Sequence, residues 1–394
     1  MAKVHSDNPC DQIMADMSEG KKETGKVLVD HSTLYAYQDR IKELEAEKVA
    51  ILEKQKGMVP MILNYQGYID TPPVSKEQLW GSAVSNDTIT VTSWKTKWLA
   101  NIKGNVELND IVGNSAMSEF GKYSCQPVIC AGSGPSLKKN AHLLGSRPSR
   151  MGLVSCLHNF AYFVDLGIVP DGFVTLDAGD IVIEELSQGG TRPAEYYWEA
   201  TKDHTLIAAL VTPPELIKKW KGKIVWFDAP VPDQGYQDER KKLVDFNVFF
   251  NVGGNALGAV YYHARAILGG MPIIFVGADF AFDYTHRFHP FNSPYDQQFR
   301  GVIPCTDVFG NRVHSWQSYY NFKAWFDFQA QGGQGNNPVQ MINATEGGIL
   351  GAYPQGNIRH IQQLALMDVL AMYKHHEMLP TLTKGEPGKP VLLF

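Results

Sequence analysis

The chain offers little that would direct it to nucleic acid, to a membrane or to an oxidising compartment. Its 394 residues carry 36 Lys and Arg against 41 Asp and Glu, a formal net charge of −5. A binder of phosphate backbones needs a basic excess, so no nucleic-acid partner is expected. No apolar run approaches the ~20 residues that span a bilayer, so no membrane partner is expected either. The first residues are polar and charged and show no signal-peptide pattern. Five cysteines (Cys10, Cys125, Cys130, Cys156 and Cys305) are odd in number and never form a Cys-x-x-Cys pair. That usage fits a reducing, cytoplasmic compartment, with Cys130 and Cys156 as small core residues. Two further absences bear on chemistry. Leu137 stands where a dinucleotide fingerprint has its third glycine, which moves NAD down the order of ligands. No Asp-x-Asp pair follows a strand, because Asp177 and Asp180 are spaced one residue wider.

What is present begins with Gly132-Ser133-Gly134-Pro135-Ser136. The apolar run 127–131 before it reads as a buried strand, and 137–144 after it reads as a helix. Glycines let backbone approach a ligand, and free N–H groups at a helix start face negative charge. Pro135 suits a first helical turn, where its missing N–H costs little. The expected ligand carries phosphate, and a nucleotide fits best.

The bulk composition, 44% apolar and 20% charged, is that of a globular protein. Residues 1–31 are polar and without periodicity, which predicts a mobile N-terminus. Residues 32–58 read as an amphipathic helix, with Tyr37, Ile41, Leu44 and Ile51 on one stripe that Lys48 interrupts. It either docks on its own domain or pairs two subunits, so a homo-oligomer through 32–58 is one expectation. Residues 59–124 form an N-terminal subdomain in this reading, with Thr88 to Thr92 its best strand. From 125 to 350, short apolar runs alternate with helical patterns. Strands are expected at 151–155, 172–176, 206–210, 224–227 and 272–276, and a helix from Asn255 to Leu268. The remainder, 351–394, reads as a C-terminal helix and tail. The fold class is therefore α/β, a Rossmann-like doubly wound, mostly parallel sheet with an N-terminal helical extension.

Ligands of such sheets lie beyond the carboxyl ends of the strands. Polar residues gather there: Gly132, Ser133, Gly134 and Ser136, then His158 and Asn159, then Asp177 and Asp180, then Asp279, Tyr284, His286 and His289. Each has an ordinary alternative as a cap, turn or solvated residue. The fold converges all four groups on one crevice, which favours a site.

Four segments in order carry a resemblance. They are 131–137 (AGSGPSL), 168–177 (IVPDGFVTLD), 269–282 (GGMPIIFVGADFAF) followed by Thr285 and His286, and 342–348 (INATEGG). Together they resemble the central domain of the motility-associated-factor flagellin glycosyltransferases, a family that includes the archaeal 6-hydroxymethylpterin diphosphokinases. Trp98 to Phe120, with Asn101 and Asn105, is similar to the region before the Gly-rich turn in that family. The turn and the later Gly277-x-Asp279 also resemble the bacterial sialyltransferases that use CMP-activated sugars. The run from Asp279 to His286 is shorter than in the flagellin enzymes, and their large flanking regions are mostly missing.

The resemblance implies a transferase and two sets of roles. With a nucleotide sugar as donor, for instance a CMP-linked one, Gly132, Ser133, Gly134, Pro135 and Ser136 would hold the phosphate. Asn159 and Asp177 would read the ribose or base. His286 would be the first choice of base, His314 the second, with Asp279 beside them as a catalytic residue. Tyr284, Arg287 and Arg312 would meet the leaving phosphate, and a sugar, protein or small molecule would be the acceptor. Trp316, Tyr319, Tyr320 and Trp325 would offer aromatic faces to a sugar, or else belong to the core. With ATP and a pterin instead, Asp177, Asp180 and Asp279 would carry Mg2+, and Glu346 with Gly347 would bind the acceptor. The use of Mg2+ stays open, as does a third reading in which the domain binds nucleotides or assembles without catalysing.

Overall fold

The computed structural model describes residues 76–231, 233–282, 287, 289–291, 302–333, 338–353 and 356–374, with side chains from residue 90 onward. The expected tail 1–31, the helix 32–58 and the end 375–394 lie outside the described residues. All described residues fall in one compact unit.

Its centre is an eight-stranded sheet. The strands are β1 Val128–Ala131, β2 Gly152–Cys156, β3 Gly172–Thr175, β4 Leu206–Ala209, β5 Ile224–Phe227, β6 Ile273–Val276, β9 Met341–Asn343 and β10 Ile361–Gln363. They lie in the order β10-β9-β6-β1-β2-β3-β4-β5, and every pairing is parallel. The doubly wound architecture expected from the sequence is thus the observed one. Two short strands, β7 Val302–Thr306 and β8 Arg312–Trp316, form a separate antiparallel hairpin.

Parallel strands are covered on both faces, so their sequences run apolar without alternation. Side chains still alternate in direction. Ile129, Ala131, Leu153, Phe173, Ile274 and Val276 enter one core, and Val128, Cys130, Val154, Val174, Ile273 and Phe275 the other. The first core is closed by α1 (Lys76–Leu108), α2 (Leu137–Asn140), α3 (Phe160–Asp165), α4 (Ile181–Glu185), α5 (Ala194–Ala200), α6 (Pro214–Lys219), α7 (Gln234–Leu243) and α10 (Leu366–Lys374). The second is closed by α8 (Ala256–Tyr262), its π-turn continuation His263–Ile267, and α9 (Gln317–Ala330).

Three expectations need correction. Thr88 to Thr92 is not a strand: it lies inside α1, a helix of 33 residues. Its β-branched residues suggested a strand locally, but the buried positions Val91, Ile102 and Asn105, with Trp98 packed against the core, follow a helical period. Nor do residues 76–124 stand apart, because Ile102 and Ile111 enter the first core. The sheet also does not end at 350, since β10 pairs with β9 beyond it.

Asn101 and Asn105, one turn apart on α1, explain how that helix reaches the strand ends. Asn101 Nδ2 donates to Ala178 O and Val211 O at 3.2 and 2.7 Å. Asn105 Nδ2 donates to Leu210 O and Thr212 O at 2.9 and 2.7 Å. Both asparagines are buried and pin the loops that leave β3 and β4.

Candidate active site

After β1 the chain winds through β2 to β5 on one side of the sheet; after β6 it winds the other way, through β9 to β10. The order of the strands thus reverses between β1 and β6, and a crevice opens beyond the carboxyl ends of the strands beside that point. A cavity of about 440 Å³ occupies that crevice. Gly132 to Gly134, Cys156 to His158, Thr175 to Asp177 and Gly277 to Ala281 line it from the ends of β1, β2, β3 and β6. Val182 and Glu185 add a wall from α4, and Trp316, Tyr319 and Phe322 add an aromatic one.

The Gly-rich turn reaches this cavity, but the amides of Gly132, Gly134 and Ser136 are engaged by protein. Gly132 N–H donates to Val276 O at 2.9 Å and Gly134 N–H to Gly277 O at 2.8 Å. Ser136 donates to Asp279 from its N–H at 3.3 Å and from its hydroxyl at 2.7 Å. A side chain at Gly132 would lie 2.5 Å from Gly277 O, and one at Gly134 would fall on the Asp279 carboxylate. The glycines thus let the β1 and β6 loops lock together. This corrects the expectation that the amides of Gly132, Gly134 and Ser136 stand open to a phosphate: Asp279 supplies the negative charge there. Pro135 has no N–H to offer. Gly134→Ala should accordingly cost stability, about 1–3 kcal/mol on the scale of overpacked cores, measured by urea unfolding. An unchanged midpoint would mean the two loops are not locked.

Asp279 is 5% exposed. Burial pushes its carboxyl up to about 7, against the pull of the Ser136 hydrogen bonds and the Lys139 charge. The group is therefore close to half protonated at neutral pH, so it can accept a hydrogen bond or donate one.

Across the cavity, His158 follows β2 in the 3-10 turn Leu157–Asn159. Its Nδ1 lies 3.5 Å from Glu185 Oε2, and both side chains are largely buried. Its Nε2 is buried and meets no hydrogen-bonding partner among the described residues. The ring stacks on His289, centroids 4.2 Å apart and 14° between planes, and on Phe291 at 5.2 Å and 7°. His289 Nδ1 is 2.9 Å from Ser133 O, which ties the stack to the Gly-rich turn. Burial, and next the neighbouring His158, hold the His289 imidazole down to about 3, so it is neutral and its Nδ1–H donates to that carbonyl. Asp177 is exposed where it borders the cavity, and its Oδ1 accepts the Gly179 N–H at 2.8 Å.

Other expected site residues do not converge here. Asn159 is fully buried, and its Nδ2 donates to Gly132 O and Ser155 Oγ at 2.9 and 3.1 Å. It braces the turn rather than reading a ribose. Asp180 points to solvent, 72% exposed, and pairs with Lys97 at 2.7 Å, so it does not join Asp177 around an ion. Glu346 accepts from Asn140 Nδ2 at 3.1 Å and from Leu366 N–H at 3.0 Å. That carboxylate ties the start of α10 to α2 and is not a cavity residue. Gly347 packs above Ser136 and Asp279, outside the lining. His314 lies on β8, where its carbonyl accepts Phe282 N–H, and its ring is not part of the lining. Arg312 is exposed on the same strand. Of the aromatic stretch, Trp316 and Tyr319 line the cavity, whereas Tyr320 and Trp325 pack on the second core. His286 and Tyr284 lie outside the described residues. Among the described residues no group of three or more His, Cys, Asp or Glu is placed to hold a metal ion.

Sequence reasoning missed Glu185 altogether. Its signal was weak: a carboxylate on a five-residue helix, meaningful only because α4 leans towards the end of β2.

Comparison with known proteins agrees with the motifs. Residues 96–285 match the family model described as 6-hydroxymethylpterin diphosphokinase MptE-like. The family resemblance read from the sequence thus holds over the segment that builds β1 to β6. Among solved structures, the motility-associated-factor (MAf) glycosyltransferase from Magnetospirillum magneticum AMB-1 is similar at 16% identity and a TM-score of 0.43, over 68% of this chain. The chain spans only 38% of that protein's length. Neither match is a sialyltransferase, and no curated protein sequence matches. No helix among the described residues is long and apolar enough to cross a membrane.

Proposed function

We propose that the chain is a transferase that moves a sugar from a nucleotide-activated donor to an acceptor hydroxyl in the switch-point cavity. The observation that carries this reading is the charge of the lining. Among the described residues it contains Asp177, Glu185 and Asp279 but no Lys or Arg. Like charges inside a low-dielectric cavity repel strongly, so the donor with the fewest phosphates is favoured. A nucleoside monophosphate sugar brings one phosphate, which makes a CMP-linked donor the first choice. Protonated Asp279 then has a hydrogen bond to give to the departing phosphate. Trp316 and Tyr319 supply the aromatic face that apolar sugar surfaces prefer.

The family match favours a second reading, transfer of diphosphate from ATP to a hydroxymethylpterin. The same aromatic wall would stack the pterin ring. A triphosphate among three carboxylates would need Mg2+ to neutralise it, as in other phosphoryl transfers.

One experiment separates the two. Melting is followed with CMP, UDP, GDP and ATP, each with and without Mg2+, and the best ligand is taken into turnover assays. A ligand at a hundred times its Kd stabilises by about 2.7 kcal/mol, well within detection. CMP stabilisation without metal, followed by consumption of a CMP sugar, is the expected result. AMP release that depends on both Mg2+ and hydroxymethylpterin would replace it with the second reading.

A further inference from the structure

We propose that His158, oriented by Glu185, is the proton acceptor of this cavity and takes the proton of the attacking hydroxyl. The inference rests on the transfer reading for what the hydroxyl attacks, and on geometry for the pair itself. Free imidazole in water favours the tautomer with its proton on Nε2. A carboxylate at Nδ1 reverses that preference, because it accepts the Nδ1–H and leaves Nε2 with a lone pair. Glu185 Oε2 stands 3.5 Å from His158 Nδ1, a separation common before a substrate draws such pairs together. Nε2 is buried and has no partner among the described residues, although its ring borders the cavity. A buried nitrogen without a partner costs free energy unless a ligand satisfies it. The stack of His289 and Phe291 fixes the plane of the His158 ring. His289 cannot take the role as readily, since its Nδ1 is committed to Ser133 O and burial disfavours the imidazolium it would become.

The step balances. The acceptor oxygen forms a bond to the donor's sugar carbon as its proton passes to His158 Nε2. The bond from that carbon to the phosphate oxygen breaks, and the nucleoside phosphate leaves with the electron pair. The imidazolium formed is stabilised by the Glu185 carboxylate and returns its proton to solvent.

The test has a spectroscopic arm and a kinetic arm on the full chain. Nitrogen-15 correlation spectra at pH 8 read the His158 tautomer. Nδ1–H is expected in the parent and a return to Nε2–H in Glu185→Met. With the donor found by the melting screen, His158→Gln should lower kcat about a hundredfold while KM moves less than about twofold, the pattern of a lost general base. Glu185→Met should lower kcat about tenfold, with partial recovery in Glu185→Gln, whose carbonyl can still accept the Nδ1–H. Nε2–H in the parent, or full turnover in His158→Gln, would overturn the assignment. A parent protein that turns over no donor at all would overturn the transfer reading and the catalytic role with it, leaving the tautomer result as evidence for the pairing alone.

Discussion

Asp327→Ala should destabilise the protein by about 3–5 kcal/mol, the usual loss when one partner of a buried ion pair is removed. Lys323 and Asp327 lie one turn apart on α9 and are both buried, with Lys323 Nζ 2.8 Å from Asp327 Oδ2. Lys323 Nζ also sits 2.9 Å from the centre of the Tyr353 ring. Tyr353 donates its hydroxyl to Asp327 Oδ2 at 2.5 Å, and Gly351 N–H donates to Oδ1 at 3.1 Å. One carboxylate therefore pairs with a lysine charge and accepts from a phenol and an amide. Burial already pulls Lys323 down to about 8 and pushes Asp327 up, so neither group holds its charge without the other. Alanine at 327 would leave all three donors stranded. Urea unfolding with the slope held in view gives the measurement. The double variant Lys323→Met/Asp327→Leu should recover most of the loss, because an apolar pair of similar volume often matches a buried salt bridge. A loss below about 1 kcal/mol in the single variant, the size of a surface pair, would show that α9 is not anchored this way. The anchoring matters for function because α9 carries Tyr319 and Phe322 to the cavity.

The sequence made the centre of this fold legible for a physical reason. Strands β1 to β6 are covered on both faces, so each appears as an apolar run bounded by polar or glycine residues, and the observed limits fall close to the expected ones. Strands β9 and β10 have three residues each, too few to show any period, and the hairpin β7–β8 is half exposed. Helix α1 was hidden because Thr88 to Thr92 reads as β-branched, while the inward-facing Asn105 breaks the apolar stripe that would have revealed it. At the site, the rule of strand ends placed Gly132 to Gly134, His158, Asp177 and Asp279 around one cavity. Roles were another matter. Asn159, Asp180 and Glu346 have the chemistry of ligand binders, but their partners are Gly132, Lys97 and Leu366, distant in the chain. Only the folded arrangement says which polar groups are already satisfied.

The second large effect is expected at Asp279, and it depends on pH. Its carboxyl stands at about 7 in the fold against 3.8 for the ordinary side chain. A folded value raised above the unfolded one contributes stability that is fully present below pH 3.8. That contribution is lost as pH rises through the folded value, because the buried group must then ionise. At 1.36 kcal/mol per unit, the loss between pH 4 and pH 8 approaches about 4 kcal/mol. Asp279→Asn keeps the shape and an oxygen for the Ser136 N–H and hydroxyl, but it cannot ionise. The stability of the Asn variant relative to the parent should therefore rise by up to about 4 kcal/mol across that window, most steeply between pH 5 and 7. His289, held down to about 3, works in the opposite sense: its contribution is present above pH 6.5 and lost as pH falls towards 3. That loss occurs in both proteins and cancels in the difference. Urea midpoints at half-unit steps from pH 4 to pH 8 supply the curve. A difference that stays flat with pH would mean that Asp279 is ionised throughout, and would withdraw the hydrogen bond it offers to a departing phosphate. A difference that climbs as expected would leave a carboxyl at the switch point that is protonated over part of the neutral range, facing the cavity where a donor's phosphate has to be met.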